Sequence, residues 1–291
     1  MEILTTKAEL RAALAARSGR RGVVPTMGFL HTGHTTLFDQ ARVACDTLVA
    51  TIFVNPTQFG PNEDLDRYPR DPEGDAAKCR AHGVDLLWMP TPSEVYAADH
   101  TTTVHVASLT DGLCGPVRPG HFDGVATVVA KIFGVIRPDI AHFGEKDFQQ
   151  LAVIRRMVRD LDLGVEVVGV PTIREPDGLA MSSRNVYLKP EQRSAALGLS
   201  RALCACRAAY AAGNRTGRLL LATLRQTMEA TDGLRTQYAE LVDPDALTPI
   251  PAGDVSSTQG IRAILAGYVG NTRLIDNAAI DHHDPSFPAE G

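Results

Sequence analysis

Short runs of β-branched and apolar residues alternate with amphipathic segments through the first 170 residues of the chain. The amphipathic segment Thr6 to Leu14 predicts a helix capped by Thr5 or Thr6. The run Thr47 to Val54 is almost continuously apolar, which is typical of a strand buried on both faces. The same reasoning predicts a first strand at 22–25, further strands at 84–89, 101–106, 140–143 and 165–170, and helices at 35–45, 72–82, 122–136 and 148–161.

Strands that alternate with helices of this length indicate βαβ units, and therefore a parallel sheet flanked by helices. We predict an α/β fold with a Rossmann-like domain over residues 1–172. The composition changes after Arg174, where Ala-, Leu- and Arg-rich segments predict two helices and two strands, at 190–212, 216–230, 237–242 and 261–268. We predict that residues 173–291 form a smaller C-terminal α+β domain.

Composition and charge exclude several classes of function. The 29 basic and 34 acidic residues give a formal charge of -5, which argues against a broad nucleic-acid-binding face. No run of about 18 apolar residues is present, so we expect no membrane span. The five cysteines form no paired framework, and we expect free thiols in a reducing cytoplasm.

Three polar clusters each follow a predicted strand, at 27–34, 55–58 and 144–150. In open parallel sheets ligands bind beyond the carboxyl ends of the strands, so these clusters are candidate binding residues. In the first cluster Gly28 and Gly33 allow a sharp turn, and His34 falls near a helix N-terminus, where an anion such as phosphate is favoured. Taken alone, His31-Thr32-Gly33-His34 fits a structural turn with capping histidines equally well.

The ten residues Pro25 to His34 resemble the opening motif of the pantothenate synthetase (pantoate–β-alanine ligase) family, within the HIGH-type nucleotidyltransferase superfamily. The resemblance continues in order along nearly the whole chain, through the segments 52–59, 118–122, 143–151, 177–185, 241–244 and 272–277. The resemblance implies ATP-dependent condensation of pantoate with β-alanine through a pantoyl adenylate, with release of pyrophosphate and AMP.

The resemblance also implies roles for individual residues. His34, His31 and Lys146 are the expected catalytic residues, as donors and a point charge toward the phosphates. The expected ATP-binding residues are Met27, Gly28, Phe29, Leu30, His31, Thr32, Gly33, His34, Gly144, Glu145, Lys146, Asp147, Ile173, Met181, Ser182, Ser183 and Arg184. Gln58, Gln150 and Asn55 are expected to bind pantoate and β-alanine.

Further expectations concern cofactors and partners. The resemblance implies ATP as co-substrate with Mg²⁺ carried on its phosphates, no metal ligand from the protein, and a cytoplasmic homodimer whose C-terminal domain covers the ATP site. We expect no nucleic-acid or membrane partner. The acidic loop 62–68 is a candidate mobile lid. The resemblance places Arg118 and His121 near the lid or the second phosphate loop. His105 and His142 fall within predicted strands, where we expect their side chains to be hydrogen-bonded and to have no catalytic role.

Three other functions are compatible with parts of the sequence. A nucleotidyltransferase that moves AMP onto a phosphate would need more cationic contacts than Gln58 and Gln150 provide. A fragment of an aminoacyl-tRNA synthetase would need a basic RNA-binding appendage, and none is visible. A nucleotide-sensing or scaffold protein would keep the fold without turnover. An assay with ATP, Mg²⁺, pantoate and β-alanine discriminates between these alternatives.

Overall fold

The computed structural model describes residues 1–61, 63–256 and 260–287, and the chain divides into two compact units. The first unit comprises Met1–Glu145 and Gln149–Val170. The second comprises Lys146–Phe148 and Pro171–Gly291. Asn62, the first residue of the predicted lid, lies outside the described residues.

The first unit contains a parallel six-stranded sheet flanked by helices, which confirms the predicted fold class. Its strands run in the order β1-β4-β3-β2-β5-β6. Their bounds are β1 Glu2–Leu4, β2 Arg21–Thr26, β3 Thr47–Ile52, β4 Leu86–Trp88, β5 Ile140–Gly144 and β6 Glu166–Val170. The helices are α1 Lys7–Ala15, α2 Thr32–Arg42, α3 Pro72–Ala81, α4 Pro92–Val95, α5 His121–Ile136 and α6 Phe148–Asp160.

Both faces of this sheet are buried, as the continuous apolar strands predict. Val24, Leu48 and Leu87 point to one face and pack against Phe38 of α2 and Cys79 of α3. Their neighbours Val23 and Val49 point to the opposite face, because successive side chains of a strand alternate, and they are equally inaccessible.

Local sequence signals explain where the helices begin. The Thr6 side chain accepts a hydrogen bond from the Glu9 N–H, and the Glu9 carboxylate accepts one from the Thr6 N–H, which confirms the predicted cap of α1. Asp71 caps α3 through its side chain alone, which accepts the Gly74 N–H at 3.1 Å, and Pro72 follows it at the first helical position.

Two predictions about the strands of the first unit are wrong. Residues 101–106 form no strand. The Val104 N–H donates instead to the Thr127 hydroxyl of α5, and the side chains of the threonines at 101–103 are exposed to solvent. The strand predicted as the first one, at 22–25, is the second strand, β2; the first is β1, which pairs with β4. Three residues with two exposed side chains are too few for a hydrophobic pattern to be recognised.

The second unit packs helices against an antiparallel sheet of order β7-β8-β9, as the predicted α+β class requires. Its elements are α7 Arg193–Ala196, α8 Gly198–Ala211, α9 Gly217–Glu229, β7 Leu234–Val242, β8 Arg262–Val269 and β9 Thr272–Ala279. The helix predicted at 190–212 is interrupted at Leu197. Strand β9 was not predicted, because Asp276 and Asn277 interrupt its apolar pattern.

Among the described residues, no helix is long and apolar enough to cross a membrane.

Helix α5 approaches the turn after β3 closely, and only a glycine permits this approach. A β-carbon on Gly124 would lie 2.5 Å from the Thr57 carbonyl oxygen and 2.7 Å from the Gln58 nitrogen. Because both atoms belong to the backbone, the overlap could be relieved only by moving the 3₁₀ turn Pro56–Gln58.

We therefore expect Gly124→Ala to lower the free energy of unfolding by about 1–3 kcal/mol, the usual cost of overpacking. Gly134 of the same helix is the matched control, since a β-carbon there meets nothing within 4 Å. Gly134→Ala should stabilise the protein by about 0.5–1 kcal/mol, because alanine favours the helix. Denaturant titration measures both values, and equal stabilisation by the two variants would contradict the tight contact.

Candidate functional site

The turn between β2 and α2 carries the His31-Thr32-Gly33-His34 motif. Gly28 and Phe29 have φ angles of 88° and 51°, so the backbone reverses in the left-handed region directly after the strand. This conformation is favourable for glycine and costs energy for phenylalanine, so other contacts must hold it.

Asp75 of α3 holds this turn. Its two carboxylate oxygens accept hydrogen bonds from the Phe29 and Leu30 N–H groups, each at 2.7 Å. The carboxylate is almost completely buried, and Lys78 Nζ lies 4.0 Å from it. Sequence reasoning missed Asp75, because an acid in the first turn of a helix is ordinary and nothing local links it to residues 45 positions earlier.

The two histidines of the motif cap helix α2 reciprocally. His31 is the N-cap residue, and its Nδ1 accepts the Gly33 N–H at 3.1 Å. His34 Nδ1 accepts the His31 N–H at 3.3 Å, and the two ring centroids are 4.1 Å apart. A nitrogen that accepts carries no proton, so each neutral ring is protonated at Nε2 and is a donor there.

The capping arrangement reconciles the two interpretations of the motif. The histidines do form a structural cap, and the cap itself selects the tautomer that donates from Nε2. With the positive end of α2, an eleven-residue helix, this set of groups is suited to an anion such as a phosphate oxygen.

Asn55 and Gln58 lie together after β3, both buried. Asn55 Nδ2 donates to Gln58 Oε1 and to the Gly124 carbonyl oxygen, each at 3.1 Å. Asn55 Oδ1 accepts from the hydroxyls of Thr57 and Tyr96, at 2.9 and 2.8 Å. Both N–H groups of the Asn55 amide are therefore used within the protein, and their effect is to orient Gln58.

Tyr96 was also missed by sequence reasoning. Burial raises the pKa of its hydroxyl, so the hydroxyl stays protonated and donates to Asn55. The Gln58 amide oxygen is thereby fixed toward Asn55, and Gln58 Nε2 lies 3.1 Å from Met27 Sδ at the beginning of the histidine turn.

Arg118 and His121 hold the main chain of Gln58. His121 Nδ1 donates to the Gln58 carbonyl oxygen at 2.9 Å, and its Nε2 accepts from Arg118 at 3.0 Å. Arg118 also binds the Glu63 carboxylate bidentately, at 2.7 and 2.5 Å. Burial raises the pKa of Glu63, but the hydrogen bonds and charge of Arg118 lower it overall, so this residue of the predicted lid stays ionised.

The other two singled-out histidines differ from expectation. His105 lies outside any strand and is exposed, with its Nδ1 2.8 Å from Asp123. His142 lies in β5 as predicted, but its buried Nδ1 has no hydrogen-bond partner within the described part of the chain. Burial lowers the pKa of His142, so the ring stays neutral.

Two adjacent glutamines of the third polar cluster have different surroundings. Gln149 is buried; its oxygen accepts the Cys114 N–H at 3.0 Å, and its nitrogen donates to the carbonyl groups of Leu109 and Gly112. The Gln150 side chain is half-buried and makes no hydrogen bond to residues 1–61, 63–256 or 260–287. Gln149 therefore holds a loop, whereas the amide of Gln150 is not used by the residues that the structure describes.

The remaining predicted ATP-binding residues divide between the units. Gly144 and Glu145 belong to the first unit with the histidine turn, whereas Lys146, Asp147, Ile173 and residues 181–184 belong to the second. Within the second unit Lys146 Nζ lies 3.6 Å from Asp147. The Ile173 carbonyl oxygen accepts the Met181 N–H at 2.9 Å, which brings those two residues together.

Ser182 begins the 3₁₀ turn Ser183–Tyr187, and its hydroxyl oxygen accepts the Arg184 N–H at 3.2 Å. This turn places two hydroxyls and a guanidinium on one short segment. Among the described residues, no group of three or more His, Cys, Asp or Glu side chains is arranged to hold a metal ion. The five cysteines are all free thiols.

Comparison with known proteins reveals extensive similarity. A family model described as pantoate-beta-alanine ligase matches residues 2–279. The chain is 51% identical over 283 residues to pantothenate synthetase 1 of Bradyrhizobium diazoefficiens, covering 96% of this chain and 98% of the relative. It is also 51% identical over 279 residues to the pantothenate synthetase of Myxococcus xanthus, covering 94% of each.

Solved structures show the same similarity. Pantothenate synthetase from Thermus thermophilus superposes with a TM-score of 0.91 at 49% identity, over 96% of this chain and 99% of that one. A pantoate-beta-alanine ligase from Francisella tularensis, complexed with beta-gamma ATP and beta-alanine, superposes with a TM-score of 0.79 at 30% identity, over 98% and 99%. The sequence resemblance is confirmed.

The contacts of Asp75 lead to a prediction about the histidine turn. An asparagine at this position has one acceptor oxygen, and its NH₂ group would face the Phe29 or Leu30 N–H. We expect Asp75→Asn to lower the free energy of unfolding by about 1–3 kcal/mol and to speed hydrogen exchange of those two amides.

The control is Asp71→Asn in the same helix, where Lys78 Nζ also lies within 3.9 Å of the carboxylate. Asparagine caps helices as well as aspartate does, so this change should cost no more than about a few tenths of a kcal/mol. If the two variants were equally stable, Asp75 would not hold the turn.

Proposed function

We propose, because this chain belongs to the pantoate–β-alanine ligase family, that it joins pantoate to β-alanine at the expense of ATP, producing pantothenate. The observation that carries the proposal is the reciprocal capping of α2 by His31 and His34. It supplies two neutral Nε2–H donors and a positive helix end within one turn.

The reaction has two steps. A pantoate carboxylate oxygen attacks the α-phosphorus of ATP, the bond to the pyrophosphate oxygen breaks, and pantoyl adenylate forms. The neutral amine of β-alanine then attacks the acyl carbon, AMP leaves with the electrons of the acyl–oxygen bond, and the amine proton passes to solvent.

In the first step, negative charge develops on the oxygens around the α-phosphorus and on the leaving pyrophosphate. Fixed donors that point toward such charge lower the barrier, because they need no reorganisation during the reaction. His34 and His31 fill this role in our proposal. Lys146 adds a positive charge for the phosphates.

The other ATP contacts come from residues with suitable groups. We assign the triphosphate to Ser182, Ser183 and Arg184, the ribose to Asp147, and the adenine to the backbone near Ile173. Mg²⁺ enters with the nucleotide, since this ion prefers phosphate oxygens and water to cages made wholly of protein groups.

Pantoate carries two hydroxyls and a carboxylate, which an amide can recognise as both donor and acceptor. We assign this substrate to Gln58 and Gln150, with β-alanine also facing Gln58. Asn55 contributes by orienting the Gln58 amide, because its own amide hydrogens are already used.

We further propose that the protein is a homodimer, which its family resemblance supports. We also propose that it is located in the cytoplasm, where its five free thiols would stay reduced. Sedimentation should then give twice the mass of one chain.

The test of the function is a reconstitution with ATP, Mg²⁺, pantoate and β-alanine, in which pyrophosphate and AMP are followed separately. We expect pyrophosphate release with pantoate alone and AMP release only after β-alanine is added. Tight ATP binding without turnover would favour a nucleotide sensor, and transfer of AMP to a phosphorylated acceptor would favour an adenylyltransferase.

The two nitrogens of His34 can be tested separately. Asparagine offers an acceptor near the position of Nδ1 but no donor at Nε2, whereas glutamine offers the donor without the capping acceptor. We expect His34→Asn to fold normally and to lose about 10²–10³ in kcat for pyrophosphate release, with a nearly unchanged ATP dissociation constant.

His34→Gln should keep more of kcat than the asparagine variant and lose up to about 1 kcal/mol of stability with the cap. A His34→Asn enzyme with full kcat would remove the Nε2 donor from the mechanism.

The adjacent glutamines provide a second comparison. Gln150→Ala should raise the KM for pantoate about tenfold or more, the effect of losing a hydrogen bond of about 1.4 kcal/mol, with ATP affinity unchanged. Gln149→Ala should instead lower stability, because it leaves the Cys114 N–H and two carbonyl groups without their partner. Steady-state kinetics and denaturation measure the two effects, and a loss of ATP affinity in Gln150→Ala would show that the pocket is misassigned.

A further inference from the structure

Strand β9 carries two buried polar residues side by side, Asp276 and Asn277, and neither has a role in the function proposed above. Both are almost inaccessible to solvent, at 2% and 1% exposure. Burying such groups is unfavourable unless they are fully hydrogen-bonded, so their partners indicate what they do.

Asn277 holds the segment that contains Lys146. Its Nδ2 donates to the Lys146 carbonyl oxygen at 2.8 Å. Its Oδ1 accepts from Nε and Nη2 of Arg262, at 2.8 and 2.6 Å, and the Arg262 guanidinium lies 4.0 Å from the centre of the Phe148 ring. Lys146 is thus fixed through its own carbonyl group, and Phe148, two residues later, is fixed through its ring.

Asp276 holds the beginning of the segment 173–184, which contains Ile173 and residues 181–184. Its carboxylate accepts two hydrogen bonds from Arg174, at 2.7 and 3.0 Å, in a pair whose side chains are 8% and 2% exposed. Arg174 also donates to the Gly178 carbonyl oxygen at 3.1 Å. Arg174 follows Ile173, and the strand-like bridge from Arg174 to Ala180 leads into Met181.

Adjacent residues of a strand point to opposite faces of the sheet. Asp276 alternates in phase with Leu274 and Ala278, which belong to the hydrophobic core of the unit. Asn277 points to the other face, where Arg262 of β8 is its diagonal neighbour across the strand pair. The adjacent residues Asp276 and Asn277 therefore hold two separate segments, one at Arg174 and one at Lys146, against the same sheet.

We propose that Asp276 and Asn277 are positioning residues that fix the spacing between Lys146 and the 173–184 segment, and so set the geometry in which ATP is bound. The inference rests on the proposed function, because it takes both segments to be nucleotide-binding. A buried ion pair adds little net stability compared with apolar packing, and it offsets the cost of desolvation only when its partners are held in good geometry. That balance accords with a positioning role for Asp276.

The test is Asn277→Asp. The carboxylate still accepts from Arg262, so the fold is retained, but it has no hydrogen to donate and repels the Lys146 carbonyl oxygen. We expect the KM and the dissociation constant for ATP to rise about tenfold and the KM for pantoate to stay unchanged.

Asn214→Asp is the matched control in the same unit. Asn214 uses its side-chain oxygen to accept the Thr216 N–H, an acceptor that aspartate also provides. This variant should leave ATP affinity unchanged.

Two further measurements distinguish positioning from a general structural effect. Hydrogen exchange in peptides covering 144–148 should become faster in Asn277→Asp and not in Asn214→Asp. In a double-mutant cycle, Asn277→Asp should weaken ATP binding little further in a Lys146→Gln background, because the effect passes through Lys146.

Fully additive losses in the cycle, or unchanged exchange in 144–148, would overturn the proposal. Exchange and ATP calorimetry need no turnover. If the wild-type protein failed to make pantothenate, these measurements would still decide whether Asn277 positions Lys146.

Discussion

Helix α2 begins with two imidazoles that satisfy its first backbone N–H groups, and the arrangement of the histidine turn depends on this contact. A serine or aspartate would cap the helix equally well. Only a histidine, however, also carries a second nitrogen, Nε2, that can donate a hydrogen bond while Nδ1 forms the cap. The cap in turn requires the left-handed turn at Gly28 and Phe29, and that turn requires the buried carboxylate of Asp75. Three successive constraints thus define the direction of the Nε2–H groups.

The parallel sheet could be predicted from the sequence because strands buried on both faces leave long apolar runs, as at Thr47 to Val54. The errors have a common cause. Strand β1 is too short to show a period, and the threonines at 101–103 have strand-like composition but pair with no strand in the part of the chain that the structure describes. Strand β9 contains Asp276 and Asn277, whose polarity argues against a buried strand until their partners in other segments are known.

The candidate site likewise contains residues that could be predicted from the sequence and residues that could not. His31, His34, Gln58 and Gln150 belong to contiguous motifs and could be selected from spacing and resemblance. Asp75, Tyr96 and Gly124 act on those motifs from 40 or more residues away, through hydrogen bonds or close approach of backbones, and no local pattern distinguishes them from ordinary helix and loop residues. Sequence reasoning therefore finds groups suited to substrates more readily than the groups that orient them.

The three residues Lys146–Phe148 belong to the second unit, although the chain on either side of them belongs to the first. The two units therefore cannot be obtained intact by cutting the polypeptide once. A fragment that began at Pro171 would contain Arg262 without the ring of Phe148, and Asn277 without the carbonyl group of Lys146. The second unit therefore needs residues 146–148 as well as the chain from Pro171 onward, and a rearrangement that transferred only the latter would leave Asn277 and Arg262 without these two partners.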